Sequence, residues 1–278
     1  AHASIWSSIG AVMFGLRASP LPAEWYATVA AALAPVYMLA GRALFQRLGD
    51  FTPPRNRYRN VANLAGFGLL VVAIVTGAVT LLLVNMWAGI TALALAALVL
   101  GWCAYFFRRS VFVFAAAGLF IAPFSLAILR WLNDLQTPQA IAWLSFAGAG
   151  LALIYLTIAV VLRRADKYAM WLNFWAHALA QVAMLGLILH YAITFNSWFN
   201  VPSLVALGGV IAIYVASAVI HDSRRHPGLS NFVNWLPGNV RQEIFLWPTG
   251  LLIPVWAAIA WWGSILQRPW LGVALAGL

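Results

Sequence analysis

Residues 61–102 read VANLAGFGLLVVAIVTGAVTLLLVNMWAGITALALAALVLGW, a run without one charged side chain. A helix rises about 1.5 Å per residue, so about 20 apolar residues cross a hydrocarbon core of about 30 Å. The run is long enough for two crossings, and Asn85 breaks it near the middle. Residues 111–129 form a second uncharged stretch. Over the whole chain 64% of residues are hydrophobic and 8% are charged. A soluble domain carries about a quarter of its residues as charges. The fold class is therefore an all-α integral membrane protein, a polytopic helical bundle surrounded by lipid.

Working outward from that run, hydropathy and helix breakers predict eight complete transmembrane spans. They cover about 24–46, 59–84, 88–107, 111–132, 140–162, 168–194, 201–221 and 245–263. A partial helix over about 4–16 precedes them, and residues from Trp270 onward read as the start of another. Both ends look cut from something longer.

The net charge of +10 reads first as a nucleic-acid signal, but its placement excludes that partner. Of the sixteen Lys and Arg, thirteen sit in every second connection, around residues 42–59, 108–109, 163–167 and 222–244. The alternate connections hold Arg17, Arg130 and Arg268. The positive-inside rule turns this alternation into an orientation, with the four basic loops cytoplasmic. A bacterial or archaeal cytoplasmic membrane is the expected location, with membrane lipids and other membrane subunits as the expected partners.

The chain also resembles itself. Tyr58 and Asn63 match Tyr168 and Asn173 at an offset of 110, and Asn85 and Trp87 match Asn196 and Trp198 at 111. Gly118-Leu-Phe-Ile-Ala-Pro123 echoes Gly250-Leu-Leu-Ile-Pro254 about twenty residues later than that offset requires. The predicted organisation is thus tandem and parallel, since a unit of four helices returns the chain to the same side. Residues 1–23 end a preceding repeat and 24–138 form repeat one. Residues 139–266 form repeat two, with a cytoplasmic loop inserted at 223–243, and 267–278 begin a further helix. In that loop Arg224, Arg225 and Arg241 flank Phe232 and Trp235, a pattern suited to an interfacial segment on anionic lipid or to a docking partner.

Chemistry-bearing residues are sparse. Asn173, His177 and Gln181 recur at i, i+4 and i+8, so they line one face of a helix. Polar side chains in hydrocarbon turn toward protein or water, because an unpaired group there costs several kcal/mol. The matching first-copy positions are Asn63, Phe67 and Val71, so the shared Asn reads as an interhelical hydrogen bond. His177 reads either as a structural imidazole or as a contact to haem, pigment, quinone or lipid. His190 follows thirteen residues later and points to nearly the opposite side of the helix. The six carboxylates, Glu24, Asp50, Asp134, Asp166, Asp222 and Glu243, fall at span ends or in loops. No catalytic motif is present and no thiolate metal site, Cys103 being alone. The sequence requires no cofactor.

Three functions fit these observations. The leading one is a non-enzymatic scaffold or accessory subunit of a membrane complex. The second is a transporter of a neutral or hydrophobic substrate, with His177 and Gln181 in its path. The third is a quinone-, haem- or pigment-binding subunit of an electron-transfer or light-harvesting complex.

Overall fold

The computed structural model describes residues 2–47, 52–132, 135–162, 166–194, 200–220 and 238–267. Over these residues the chain is helical and contains no strand. In chain order the helices are α1 (His2–Ala18), α2 (Tyr26–Arg47), α3 (Thr52–Leu83), α4 (Met86–Phe107) and α5 (Val111–Trp131). There follow α6 (Thr137–Val161), α7 (Asp166–Ile193), α8 (Val201–Ile220) and α9 (Gly238–Gln267). A short 3-10 turn, Ala23–Trp25, leads into α2.

A helix covers each of the eight predicted spans, but two of them start earlier than hydropathy indicates. α3 begins at Thr52 and runs through Arg55, Arg57 and Arg59. α9 begins at Gly238, so residues 238–243 of the expected inserted loop are helical. Hydropathy reports where hydrocarbon ends, whereas backbone hydrogen bonding carries a helix past that point. Pro248 consequently lies in the interior of α9. Pro35, Pro123 and Pro254 are also interior, each removing one N–H from its helix ladder.

Among the described residues six helices are long and apolar enough to cross a membrane: Asn60–Leu83, Met86–Phe107, Val111–Trp131, Thr137–Val161, Lys167–Ile193 and Val201–Val219. The apolar part of α9, Phe245–Trp261, is shorter. α2 is not among the six, with Arg42 in its later turns. Their outer faces are apolar: Leu83 is 79% exposed and Tyr105 84%. α5 is an extreme case, burying only Ala117 and Pro123. Faces of this kind suit lipid rather than water.

Contacts divide the chain into two compact units, Ala1–Ala127 and Ile128–Leu278. In unit 1 the core joins Ala30, Ala31, Ala34 and Met38 of α2 with Leu69 and Ala73 of α3 and Ala96 and Cys103 of α4. Lipid tails are as apolar as leucine, so helices in a membrane gain stability mainly from close packing. Small residues make that approach possible. A Cβ on Gly66 would lie 2.7 Å from Met38 Cγ and 2.8 Å from the Ala34 carbonyl oxygen. Toward one end of the unit Phe67 stacks on Phe112 with ring centroids 5.6 Å apart.

The turn between α4 and α5 is tight. Arg108 takes the left-handed backbone there, with φ 53° and ψ 36°, and is the only non-glycine residue with positive φ among the described residues. Glycine usually fills this position, and another side chain costs about 1 kcal/mol.

In unit 2, α6 and α7 pack through Ser145 and Gly186, where any Cβ at 186 would collide with the Ser145 hydroxyl. α6 and α8 meet where a Cβ on Gly209 would stand 3.4 Å from that of Ala149. α9 packs on α8 through Ile259 and Ala260, against Leu204 and Leu207. The glycines of these helices thus have different roles. Gly66, Gly208 and Gly209 stand at close approaches, while Gly150 faces open space.

Candidate functional site

The polar residues of α7 fall into two groups. The first is the stripe seen in the sequence. Asn173 is 1% exposed and His177 8%, so both are removed from the surrounding medium. The His177 Nδ1 donates to the Asn173 carbonyl at 2.8 Å. A carbonyl only accepts, so that nitrogen carries the proton. The ring packs against Phe245 of α9, with centroids 5.1 Å apart. One turn further along α7, the Gln181 side chain donates to the Tyr214 hydroxyl of α8. Asn173 and His177 are thus buried, with the His177 ring against α9, while Gln181 is exposed and reaches across to α8.

Asn63 is the residue that the sequence comparison matches to Asn173. Its Oδ1 is buried and has no hydrogen-bond partner among the described residues, so the predicted interhelical bond is not formed by that atom.

The second group surrounds His190, which is 1% exposed. Its Nδ1 donates to the Pro138 carbonyl of α6 at 2.8 Å. The same reasoning fixes the tautomer and leaves Nε2 with a lone pair. That nitrogen is buried and has no hydrogen-bond partner among the described residues. Beside it, the Tyr191 hydroxyl donates to Ser203 Oγ at 3.2 Å, and Ser203 in turn donates to the Asn200 carbonyl at 2.8 Å. The two histidines of α7 serve different helix contacts, His177 toward α9 and His190 toward α6.

A groove of about 450 Å³ runs along α8 between α6 and Trp256 of α9. Phe146, Gly150 and Leu153 form one wall, and Val205, Gly208 and Ala212 the other. The Trp256 indole is fixed by donating Nε1–H to the Leu204 carbonyl at 3.0 Å. Along α8 the lining extends from Val201 to Ala212, a rise of about 16 Å at about 1.5 Å per residue. His177 and Gln181 do not line it. The candidate ligand stripe and this groove are thus separate features.

Sequence reasoning missed the groove and Tyr214, since both depend on which helices become neighbours. It named His190 but gave it no partner. Of the loop residues, Arg224, Arg225, Phe232 and Trp235 lie outside the described residues. Arg241 falls within α9. Among the described residues no group of three or more His, Cys, Asp or Glu side chains is placed to hold a metal ion.

Fold and site together define a class: a helical protein with, among the described residues, six membrane-length helices, a partly buried polar stripe and an apolar groove. No protein-family model, no curated protein and no solved structure matches the chain.

Proposed function

We propose that the chain is a non-enzymatic membrane scaffold or accessory subunit that holds lipid in its helical grooves. The groove of unit 2 is the observation that carries this reading. Its lining is apolar and its walls are opened by Gly150 and Gly208. Its length along α8 of about 16 Å is close to half of a hydrocarbon core of about 30 Å. One lipid tail reaching from the interface at Val201 to the bilayer mid-plane has that length. The α7 stripe supports the same reading, because His177 and Gln181 are engaged within the protein, by Asn173 and Tyr214.

The wider arrangement we propose has eight crossings, with α2 and α9 completing two parallel four-helix repeats. The basic connections near 42–59, 108–109, 163–167 and 222–244 face the cytoplasm of a bacterial or archaeal cell. Purification in mild detergent from native membranes tests the functional reading. A stoichiometric partner subunit together with retained phospholipid supports it. A monomer that mediates flux of a neutral solute in liposomes, with flux lost in Gln181→Ala, replaces it with the transporter reading.

One observation favours the pigment, haem or quinone reading as second choice. The buried Nε2 of His190 is an acceptor with no hydrogen-bond partner among the described residues, while Nδ1 is held by a carbonyl. Histidines that ligate a metal are commonly oriented in this way through the other ring nitrogen. An absorbance band from haem or chlorin in the purified protein, lost in His190→Ala, is the outcome that would promote it.

A further inference from the structure

Near the end of unit 1 where α4 gives way to α5, Arg42 of α2 lies over Phe106 of α4, with its guanidinium carbon 5.1 Å from the ring centroid. Phe106 stacks on Trp102 at 4.6 Å and meets Phe107 edge-on at 4.9 Å. Two residues after Phe106 comes Arg108 in its left-handed conformation, and then Arg109. All three arginines are exposed. Glu24, by contrast, is held by Asn85 at the opposite end of α4. Arg42 thus rests on an aromatic base, and Arg108 and Arg109 follow that base by two and three residues in the chain.

Three features give this cluster a direction. Arginine is a poor choice for the left-handed position that follows a helix, where glycine fits without strain. Such strain persists where the side chain has work to do. The cation–π contact holds the Arg42 fork in place before any ligand arrives, which lowers the ordering cost of binding. The membrane-length segments Met86–Phe107 and Val111–Trp131 both terminate at this turn. The arginines thus stand where hydrocarbon meets water, the depth of lipid headgroups. Paired guanidinium forks match the geometry and charge of a phosphate.

We propose that Arg42, Arg108 and Arg109 form a binding site for the phosphate of an anionic phospholipid headgroup at this end of unit 1. The site is independent of the groove in unit 2. It differs from a general preference for one membrane face in requiring these particular side chains.

The test uses the full chain in detergent micelles, titrated with phosphatidylglycerol, phosphatidylcholine or inorganic phosphate. Native mass spectrometry counts bound lipid, and thermal melting reads the linked stabilisation. Phosphatidylglycerol is expected to bind and to raise the melting temperature more than phosphatidylcholine does. Arg108→Gly removes a charge while relieving the backbone, so its lipid-free melting temperature stays at or above that of the original chain. Its phosphatidylglycerol affinity falls by about fivefold, the effect of one arginine at an anionic surface. Arg42→Ala and Arg109→Ala repeat the measurement without touching the left-handed position. Equal stabilisation by phosphatidylcholine, or unchanged phosphatidylglycerol affinity in all three variants, would overturn the proposal. So would full stabilisation by inorganic phosphate alone, which would identify a soluble ligand instead.

Discussion

Asn85 ties the start of α4 to Glu24: its Nδ2 donates to the Glu24 carboxylate at 2.9 Å. Its Oδ1 meanwhile accepts from the backbone N–H groups of Trp87 and Ala88 at 3.0 and 3.3 Å. One side chain thus caps a membrane-length helix and fastens it to the residues that lead into α2. The first turn of a helix leaves N–H groups without intrahelical partners, and near hydrocarbon such groups are costly. Asn85→Ala loses both the cap and the link. A loss of about 1–2 kcal/mol is expected, read as a lowered melting temperature in detergent. Asn85→Asp keeps the cap acceptor but sets a carboxylate against Glu24, so it is expected not to restore the stability of the original chain.

Gly66 and Gly101 make a matched pair of tests for close helix packing. A Cβ at 66 meets the Ala34 carbonyl at 2.8 Å, a backbone atom that cannot turn aside. A Cβ at 101 has only Ala116 at 4.0 Å. Gly66→Ala is expected to cost about 1–3 kcal/mol by forcing α2 and α3 apart. Gly101→Ala is expected to be neutral or stabilising, since alanine favours the helix by about 1 kcal/mol. Denaturation in increasing SDS measures both. Equal effects at the two sites would remove close packing as the explanation.

Much of this fold was legible because lipid imposes one rule on every segment. The charge-free run at 61–102 and the breaks at Asn85 and Arg108-Arg109 located α3, α4 and α5 to within a few residues, apart from the polar start of α3. The same rule misled at residues 238–244, since a helix entering water looks like a loop to a measure of hydropathy. The site was half legible. The i, i+4, i+8 spacing of Asn173, His177 and Gln181 follows from helix geometry, and two of the three are buried as that geometry implies. That Gln181 meets Tyr214, and His190 the Pro138 carbonyl, depends on helix neighbours 33 and 52 residues away in sequence. The groove was invisible for the same reason, being the gap left beside Gly150, which faces open space, and bounded by Trp256 over Gly208.

The Gln181–Tyr214 bond is a candidate for a double-mutant cycle. Interhelical hydrogen bonds in membranes average about 0.6 kcal/mol, with a maximum near 1.7, because an unpacked helix also finds partners in the bilayer. Gln181→Leu, Tyr214→Phe and the double variant are expected to give a coupling energy in that range. If instead the single variants lose solute flux while retaining stability, Gln181 belongs to a transport path and the scaffold reading fails.

The proposed orientation makes a direct prediction about sidedness. In a Cys103→Ala background, single cysteines at Trp87 and Ser110 lie near the two ends of α4, a helix of 22 residues. At about 1.5 Å per residue that helix is about 33 Å long, enough to span the bilayer. A membrane-impermeant maleimide is expected to label Ser110→Cys from the cytoplasmic face of oriented vesicles and Trp87→Cys from the other. Labelling of both from one side would mean that α4 does not cross, and with it the four-helix topology would fall.

Filling the groove tests its occupant most directly. Gly150 has no atom within 4 Å of where its Cβ would be, so a larger side chain there enters open space. Gly208 is tighter, with Trp256 Nε1 at 3.4 Å. Gly150→Leu is therefore expected to preserve the fold and to occupy volume that a lipid tail would otherwise take. Native mass spectrometry should then show fewer retained phospholipids than in the original chain, with the melting temperature in lipid-free detergent unchanged or raised. Added phospholipid should stabilise the variant less, because ligand-linked stabilisation disappears with the site. Retention of the same lipid count, with the same stabilisation, would show that the tails bind elsewhere and that the gap between α6 and α8 is a packing defect rather than a site.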